Sequence, residues 1–125
     1  MKILSETDGI FVKRDDGTEI RYFIFDEYEI HENVLPPNTT QLWHYHTAVE
    51  EVIYIYSGRM AVYWKNGDST EQETVVPGNI VRVENTPHTF ANSSSEPCVF
   101  IVFRFIPTGV PNQHLIKKDK VLCEI

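Results

Sequence analysis

The sequence predicts an all-β protein, built as a sandwich or a barrel of short strands. Segments rich in Ile, Val, Tyr and Phe recur at short spacing along the 125 residues, and turn residues separate them. No segment shows the period of an amphipathic helix. With 42% apolar and 23% charged residues, the composition is that of a globular protein. A chain of this length buries roughly two-thirds of the surface that it exposes when unfolded. We therefore expect one domain over residues 1–125.

The apolar pattern predicts ten strands in order along the chain. Their approximate ranges are 9–14, 19–25, 28–34, 40–46, 50–56, 59–65, 71–75, 80–84, 88–92 and 98–106. Asn66-Gly67 gives the strongest hairpin signal, between the sixth and seventh strands, because both residues tolerate the positive φ of a two-residue turn.

Two of these strands are apolar on both faces. Val52–Tyr56 has no polar residue, and Val99–Phe105 has only Arg104. A strand in an antiparallel sheet with one solvated face would alternate between apolar and polar residues. We therefore expect the outer face of these strands to be covered. A second subunit is the favoured cover, which predicts a homodimer, and the chain's own terminal segments are the alternative.

Charge and cysteine content restrict the classes of partner and compartment. The net charge of −7 argues against a nucleic acid or an anionic membrane as partner. No signal peptide is expected at Met1–Asp8, and no apolar run approaches the ~18 residues of a spanning helix. We therefore expect a cytoplasmic protein. Cys98 adjoins an apolar run, so it is predicted to be a buried apolar residue and not half of a disulfide with Cys123.

Three histidines and a carboxylate predict a metal site. His44 and His46 are two residues apart in the predicted strand 40–46, so they would share one face. If Glu51 and His88 face the same interior, three neutral imidazoles and one carboxylate converge. This set suits a divalent transition metal ion with open coordination positions. Glu50 competes with Glu51 for the carboxylate role, since the two point to opposite faces of their strand.

Two motifs resemble those of the cupin superfamily. His44-Tyr45-His46, four residues, Glu51, six residues and Gly58 is similar to the first cupin motif, HxH-x(3,4)-E-x(6)-G. Pro77-Gly78-Asn79, then Asn85-Thr86-Pro87-His88, three residues and Asn92 resembles the second, G-x(5)-P-x-G-x(2)-H-x(3)-N. Val83 stands where proline is usual and Asn85 where glycine is usual. The gap from Gly78 to His88 is one residue short.

The resemblance implies a cupin-type double-stranded β-helix, or jelly-roll barrel, that is commonly a homodimer. It carries the family's metal ligands over to His44, His46, Glu51 and His88. The implied cofactor is one divalent ion of iron, manganese, nickel, zinc or copper. The spacing to Gly58 favours Glu51 as the carboxylate, so Glu50 is expected to point outward. No organic cofactor is expected, and no residue is assigned as catalytic.

Residues outside the ligand set also receive predictions. His31 and His114 are expected at the surface or in the tail. Phe90 and Asn92 would point inward with His88, and Asn92 would brace a turn. Arg104 either reaches solvent at the end of its strand or holds a substrate carboxylate.

The favoured function is a metal-dependent enzyme that acts on a small organic substrate. Its reaction would be that of a dioxygenase or of a Lewis-acid isomerase, cyclase or lyase. The alternative is a non-catalytic module that binds or senses a small molecule. The chain has no helix-turn-helix segment, which favours the enzyme. A storage protein is the least favoured class.

Overall fold

The computed structural model describes residues 1–124 and confirms the all-β fold. The strands of this range are β1 (Ile10–Lys13), β2 (Glu19–Ile24), β3 (Tyr28–Leu35), β4 (Thr39–Thr40), β5 (Glu50–Ser57), β6 (Met60–Asn66), β7 (Ser69–Val75), β8 (Ile80–Arg82), β9 (His88–Asn92) and β10 (Cys98–Phe105). A 3-10 turn at Glu6–Asp8 precedes them, and the short helix α1 (Gln113–Ile116) follows. None of the helices in residues 1–124 is long and apolar enough to cross a membrane.

The described strands form two antiparallel sheets. The larger has the order β1-β2-β3-β10-β5-β8, and the smaller has the order β4-β9-β6-β7. Because β5 and β6 are joined by a short turn but lie in different sheets, the chain passes from one layer to the other at that turn. The two layers enclose a common core.

Strand alternation places the core between the sheets. Ile53 and Ile55 of β5 face inward with Phe100 of β10, and the smaller sheet contributes Val62 and Phe90. Each such side chain contributes about 1.5–3 kcal/mol when it is fully buried. Toward the start of β5 this inner face becomes polar at Glu51, so polar side chains lie at one end of an apolar interior.

Nine of the ten predicted strands are confirmed within residues 1–124, with boundaries that shift by at most two residues. The prediction of a strand over 40–46 is wrong. Only Thr39–Thr40 forms a strand there, and it pairs with Asn92 and Ala91 of β9. Beyond it, His44 makes one isolated bridge to His88.

Gly58, the last residue of the first motif, fixes the turn from β5 to β6. Its φ is +74°, in the left-handed region that favours glycine. A Cβ at this position would overlap the carbonyl oxygen of Pro97 and lie 2.9 Å from the Cα of Cys98. The turn therefore packs directly against the backbone that leads into β10.

Replacing this glycine should cost more than replacing a glycine with open space around it. Gly67 is a matched control, because its φ is +63° and a Cβ there would meet no atom of residues 1–124 within 4 Å. We expect Gly67→Ala to lower the free energy of unfolding by about 1 kcal/mol, from backbone strain alone. Gly58→Ala adds a backbone overlap, so we expect a loss of about 3 kcal/mol or more in chemical denaturation. Equal losses would contradict this packing.

Cys98 is buried at the start of β10, as the sequence predicts. Burial raises the pKa of its thiol to about 11. Cys123 is exposed, and neither cysteine is in a disulfide.

The two thiols should therefore react at very different rates. The thiolate is the reactive form, and buried Cys98 holds almost none of it at about pH 8. We expect an aromatic disulfide reagent to modify one thiol of the native protein rapidly and the second only after denaturant is added. Rapid reaction of both thiols in the native state would show that the start of β10 is open.

Candidate metal centre

The structure brings the four predicted ligand residues together. Ligand atoms of His44, His46, Glu51 and His88 all lie within 4.8 Å of one another, and we call these four residues the cluster. Glu51 lies on β5, and His88 is the first residue of β9. The two other histidines lie on the segment between β4 and β5.

A β-bulge positions the histidine pair beside β9. Thr40 pairs with Ala91 and His44 with His88, so the three residues 41–43 face the two residues 89–90. One extra residue on one strand is the definition of a bulge, which bends the strand and re-aims its side chains. The backbone N–H of His44 donates to the carbonyl of His88 over 3.0 Å, and that of His88 donates to the carbonyl of His44 over 2.9 Å.

Backbone carbonyls orient two of the imidazole rings. Nδ1 of His44 donates to the carbonyl of Leu42 over 2.9 Å, and Nδ1 of His88 donates to that of Thr86 over 2.6 Å. A carbonyl oxygen only accepts, so Nδ1 carries the hydrogen in both rings. In a neutral imidazole Nε2 then presents a lone pair. Metal-binding histidines are commonly held in this way.

Two nitrogens of the cluster are buried without a partner. Within residues 1–124, Nε2 of His46 and Nε2 of His88 have no hydrogen bond. Nε2 of His46 lies 2.5 Å from Oε1 of Glu51, but the two do not have hydrogen-bond geometry. A buried polar atom left unpaired costs about 1–3 kcal/mol. The unpaired lone pair of His88 converges with the Glu51 carboxylate and two further imidazoles, an arrangement that fits a cation, so the cluster can hold a metal ion.

A neighbouring positive charge keeps Glu51 in the form that binds a metal, and burial does the same for His88. Burial alone would raise the pKa of Glu51, but the positive charge of Arg104 outweighs it and lowers the pKa. Oε2 of Glu51 accepts from Nε of Arg104 over 3.1 Å and from Nη2 over 3.0 Å. Burial lowers the pKa of His88. Near neutral pH the carboxylate is therefore ionised and this imidazole is neutral.

Glu50 points away from the cluster, as expected, and it is buried. Its Oε1 accepts from the backbone N–H of Glu84 over 3.2 Å, and its Oε2 lies 3.6 Å from Nε of Arg82. The residue is buried because β8 and the turn after it cover this side of β5.

The prediction that His31 lies at the surface is wrong. Its exposed fraction is 2%, and its Nε2 lies 2.8 Å from Oε2 of Glu29. It faces inward from β3, opposite Val102 of β10. Burial lowers the pKa of this imidazole. His114 is exposed, as predicted.

The structure also tests the predictions for two residues of β9 and for one residue near the end of β10. Asn92 braces a turn, since its Nδ2 donates to the carbonyls of Leu35 and Glu96 over 3.0 and 2.8 Å. Phe90 packs inside beside His88, as predicted. Arg104 is partly exposed near the end of its strand, as the first alternative predicts, but its guanidinium is also paired with Glu51 and lies 3.6 Å from Glu29.

Sequence reasoning missed the role of Asn85. Its φ is +59°, so it provides the left-handed backbone for which the second motif commonly uses glycine. Asparagine is among the few residues that tolerate this region. With its amide nitrogen facing the available acceptors, Asn85 donates to the carbonyl of Val49 over 2.8 Å and to that of His46 over 3.3 Å. The departure from the motif was the signal that could have identified this contact.

A cavity of about 530 Å³ lies beside the cluster, with His88 in its wall. Its other walls combine apolar side chains, including Val62, Trp64 and Phe90, with several polar ones, including Glu73 and Glu84. A cavity with apolar walls and polar groups that can orient a ligand is typical of sites for small organic molecules.

Comparisons with known proteins identify the family. The family described as Cupin domain matches residues 31–104, which is more than half of the chain. No curated protein matches the sequence. Among solved structures, a sugar phosphate isomerase of the cupin superfamily from Silicibacter pomeroyi is 20% identical, with a TM-score of 0.63. That match covers 74% of this chain and only 61% of the isomerase.

Two other solved structures are similar. The polyketide cyclase RemF from Streptomyces resistomycificus is 25% identical, with a TM-score of 0.69, over 84% of this chain and 79% of that one. The cupin domain of an XRE family transcriptional regulator from Enterobacter cloacae is 26% identical, with a TM-score of 0.61, over 72% of this chain and 97% of that one. With the family match and the two-sheet fold, these findings show that the chain belongs to the cupin superfamily.

Proposed function

We propose that this protein is a metal-dependent enzyme that acts on a small organic substrate. His44, His46, Glu51 and His88 would hold one divalent transition metal ion. The observation that carries the proposal is the position of His88, whose unpaired Nε2 belongs to the cluster and whose side chain also lines the cavity. A molecule in the cavity would therefore lie next to the ion.

The chain's own residues would bind the substrate and move a proton. Trp64 and Phe90 would exclude water from the cavity. Glu73 lies opposite Val62 in the β6–β7 register, so its carboxylate comes from the inner face of β7. We assign Glu73 the role of accepting or donating a proton at the bound substrate. The metal would supply a Lewis acid or a centre for oxygen activation.

The donor set leaves both reaction classes of the proposal open. Non-haem iron oxygenases commonly use two histidines and one carboxylate, and this cluster adds a third histidine. A dioxygenase and a Lewis-acid isomerase, cyclase or lyase are each compatible with it, as are iron, manganese, nickel, zinc and copper. The similarity to a polyketide cyclase supports an organic substrate. A cytoplasmic location remains part of the proposal.

A binding or sensing module is the second candidate. The similarity to the cupin domain of a transcriptional regulator favours it, because the match covers 97% of that domain. A sensor would show a ligand-dependent rise in melting temperature without turnover, whereas an enzyme would convert the same molecule.

We also propose that the chain forms a homodimer through the outer face of its larger sheet. Tyr54, Tyr56 and Phe103 lie on this face with exposed fractions of 46%, 67% and 40%. Ile80 extends the patch, since it pairs with Tyr54. In residues 1–124 no terminal segment covers these side chains, which argues against the alternative cover. A large exposed apolar patch commonly marks a protein interface.

Metal content tests the ligand assignment. We expect the purified protein, loaded and then desalted, to retain one divalent ion per chain by mass spectrometric metal analysis. His88→Ala and Glu51→Gln should each weaken binding at least ~100-fold, because each removes a ligand atom from the cluster.

Neighbouring residues provide matched controls for these variants. Glu50→Gln changes the adjacent carboxylate, which points away from the cluster, and His114→Ala removes an exposed histidine outside it. Both should keep the wild-type metal content. A wild-type protein that retains no ion, or an effect of Glu50→Gln equal to that of Glu51→Gln, would disprove the assignment.

Light scattering tests the dimer. We expect a mass of two chains at micromolar concentration and a mass of one chain for Tyr54→Glu, because a charge would be buried without a partner at the interface. Leu122→Glu places the same charge on an exposed apolar residue of the tail and should leave the dimer intact. A wild-type monomer, or dissociation by both variants alike, would contradict the proposed interface.

A further inference from the structure

Three charged side chains form a row across the larger sheet, one step from the cluster. Arg104 of β10 pairs in register with Glu29 of β3 on one side and with Glu51 of β5 on the other. Its Nη1 lies 3.6 Å from Oε2 of Glu29, and its Nε and Nη2 hydrogen bond to Oε2 of Glu51. The guanidinium therefore lies between two carboxylates, and one of them belongs to the cluster.

The two carboxylate oxygens of Glu51 have separate surroundings. Oε2 accepts both hydrogen bonds from Arg104, whereas Oε1 faces Nε2 of His46. Two charge-assisted hydrogen bonds to one oxygen hold that oxygen toward Arg104. They leave Oε1 as the oxygen directed at the cluster.

The row also sets the charge of this ligand. The guanidinium keeps its proton at all relevant pH values, so a permanent positive charge lies behind the Glu51 carboxylate. Glu29 offsets part of that charge from the other side, and His31 holds Glu29 through the contact at 2.8 Å. Arg104 and Glu29 are 31% and 29% exposed, so solvent weakens both effects without removing them.

We propose that Arg104 is a positioning residue that makes Glu51 a one-oxygen ligand and offsets its negative charge. This inference rests on the proposed function, since it presupposes a metal ion in the cluster. An ion held by three neutral imidazoles and a charge-compensated carboxylate keeps more of its own positive charge. It is therefore a stronger Lewis acid, and its reduced state is stabilised. Glu29 moderates the effect.

Copper bound to the full-length chain provides a test that requires no substrate. The reduction potential of the Cu(II)/Cu(I) couple is measured by redox titration for the wild type, Arg104→Gln, Arg104→Lys and Glu29→Gln. Each protein is first shown to bind one copper ion. Loss of the positive charge in Arg104→Gln should favour Cu(II) about tenfold, a fall of about 59 mV for one electron.

The other variants should shift the potential in the order of their charges. Glu29→Gln removes a negative charge and should favour Cu(I) about threefold. Arg104→Lys keeps the charge and should shift the potential less than Arg104→Gln. Arg82→Gln is the matched control, because Arg82 also pairs with a glutamate, Glu50, which points away from the cluster. We expect no shift there.

The sign pattern distinguishes charge compensation from a purely structural role. Opposite shifts for Arg104→Gln and Glu29→Gln support the inference. Shifts in the same direction, no shift, or an equal shift in Arg82→Gln would overturn it. If Arg104→Gln does not fold, an absent or downward shift in Glu29→Gln still overturns it. A wild-type protein that binds no copper would count against the proposed function itself, a separate outcome.

Discussion

The paired backbone hydrogen bonds between His44 and His88 are the interaction on which the rest of the site depends. They join the two cupin motifs at one point of the smaller sheet, through two histidines that are more than 40 positions apart in sequence. Because each residue donates to and accepts from the other, the bridge fixes the separation of their side chains. The bulge beside it releases the following residues from the strand, and Asn85 holds the carbonyls of His46 and Val49. His46 is thereby positioned by side-chain contacts and not by sheet pairing.

Besides these backbone hydrogen bonds, the site contains a neutral imidazole and an ionised carboxylate that lie close together without a hydrogen bond between them. Burial of His88 keeps its imidazole neutral, while Arg104 keeps Glu51 ionised. The result is a buried Nε2 of His88 that has no hydrogen-bond donor among residues 1–124 and lies close to an ionised carboxylate. Such an arrangement costs stability in the folded chain, and a bound cation offsets that cost because it binds the folded state only. In this protein metal affinity and folding stability should therefore be coupled.

Local pattern predicted most of the fold and the grouping of the cluster residues. Segments rich in β-branched and aromatic residues commonly form strands with one buried face, so their composition was enough to predict β5, β6 and β10. Adjacent residues of a strand point to opposite faces, so only one of Glu50 and Glu51 could face the cluster. The spacing to Gly58 then favoured Glu51. The spacing of the two motifs predicted the cupin fold, which the family match and the solved structures confirm.

The failures arose where a distant segment decides the outcome. The predicted strand over 40–46 is interrupted because residues 41–43 face only two residues of β9, which leaves one residue unpaired. The alternation of residues within one strand cannot predict such a bulge. Glu50 is buried beside β8, and His31 lies on the inner face of β3 together with Asn33 and Leu35. The pairing of Arg104 with Glu51 depends on the register of β10 against β5. Each of these requires knowledge of which strands are neighbours.

Anomalous diffraction from crystals of the metal-loaded protein tests the central claim most directly. The account predicts one strong peak per chain, with Nε2 of His44, His46 and His88 and Oε1 of Glu51 each at about 2.0–2.2 Å, as for a transition metal ion. A peak bound by other residues, or none at the cluster in crystals grown with excess metal, would contradict it.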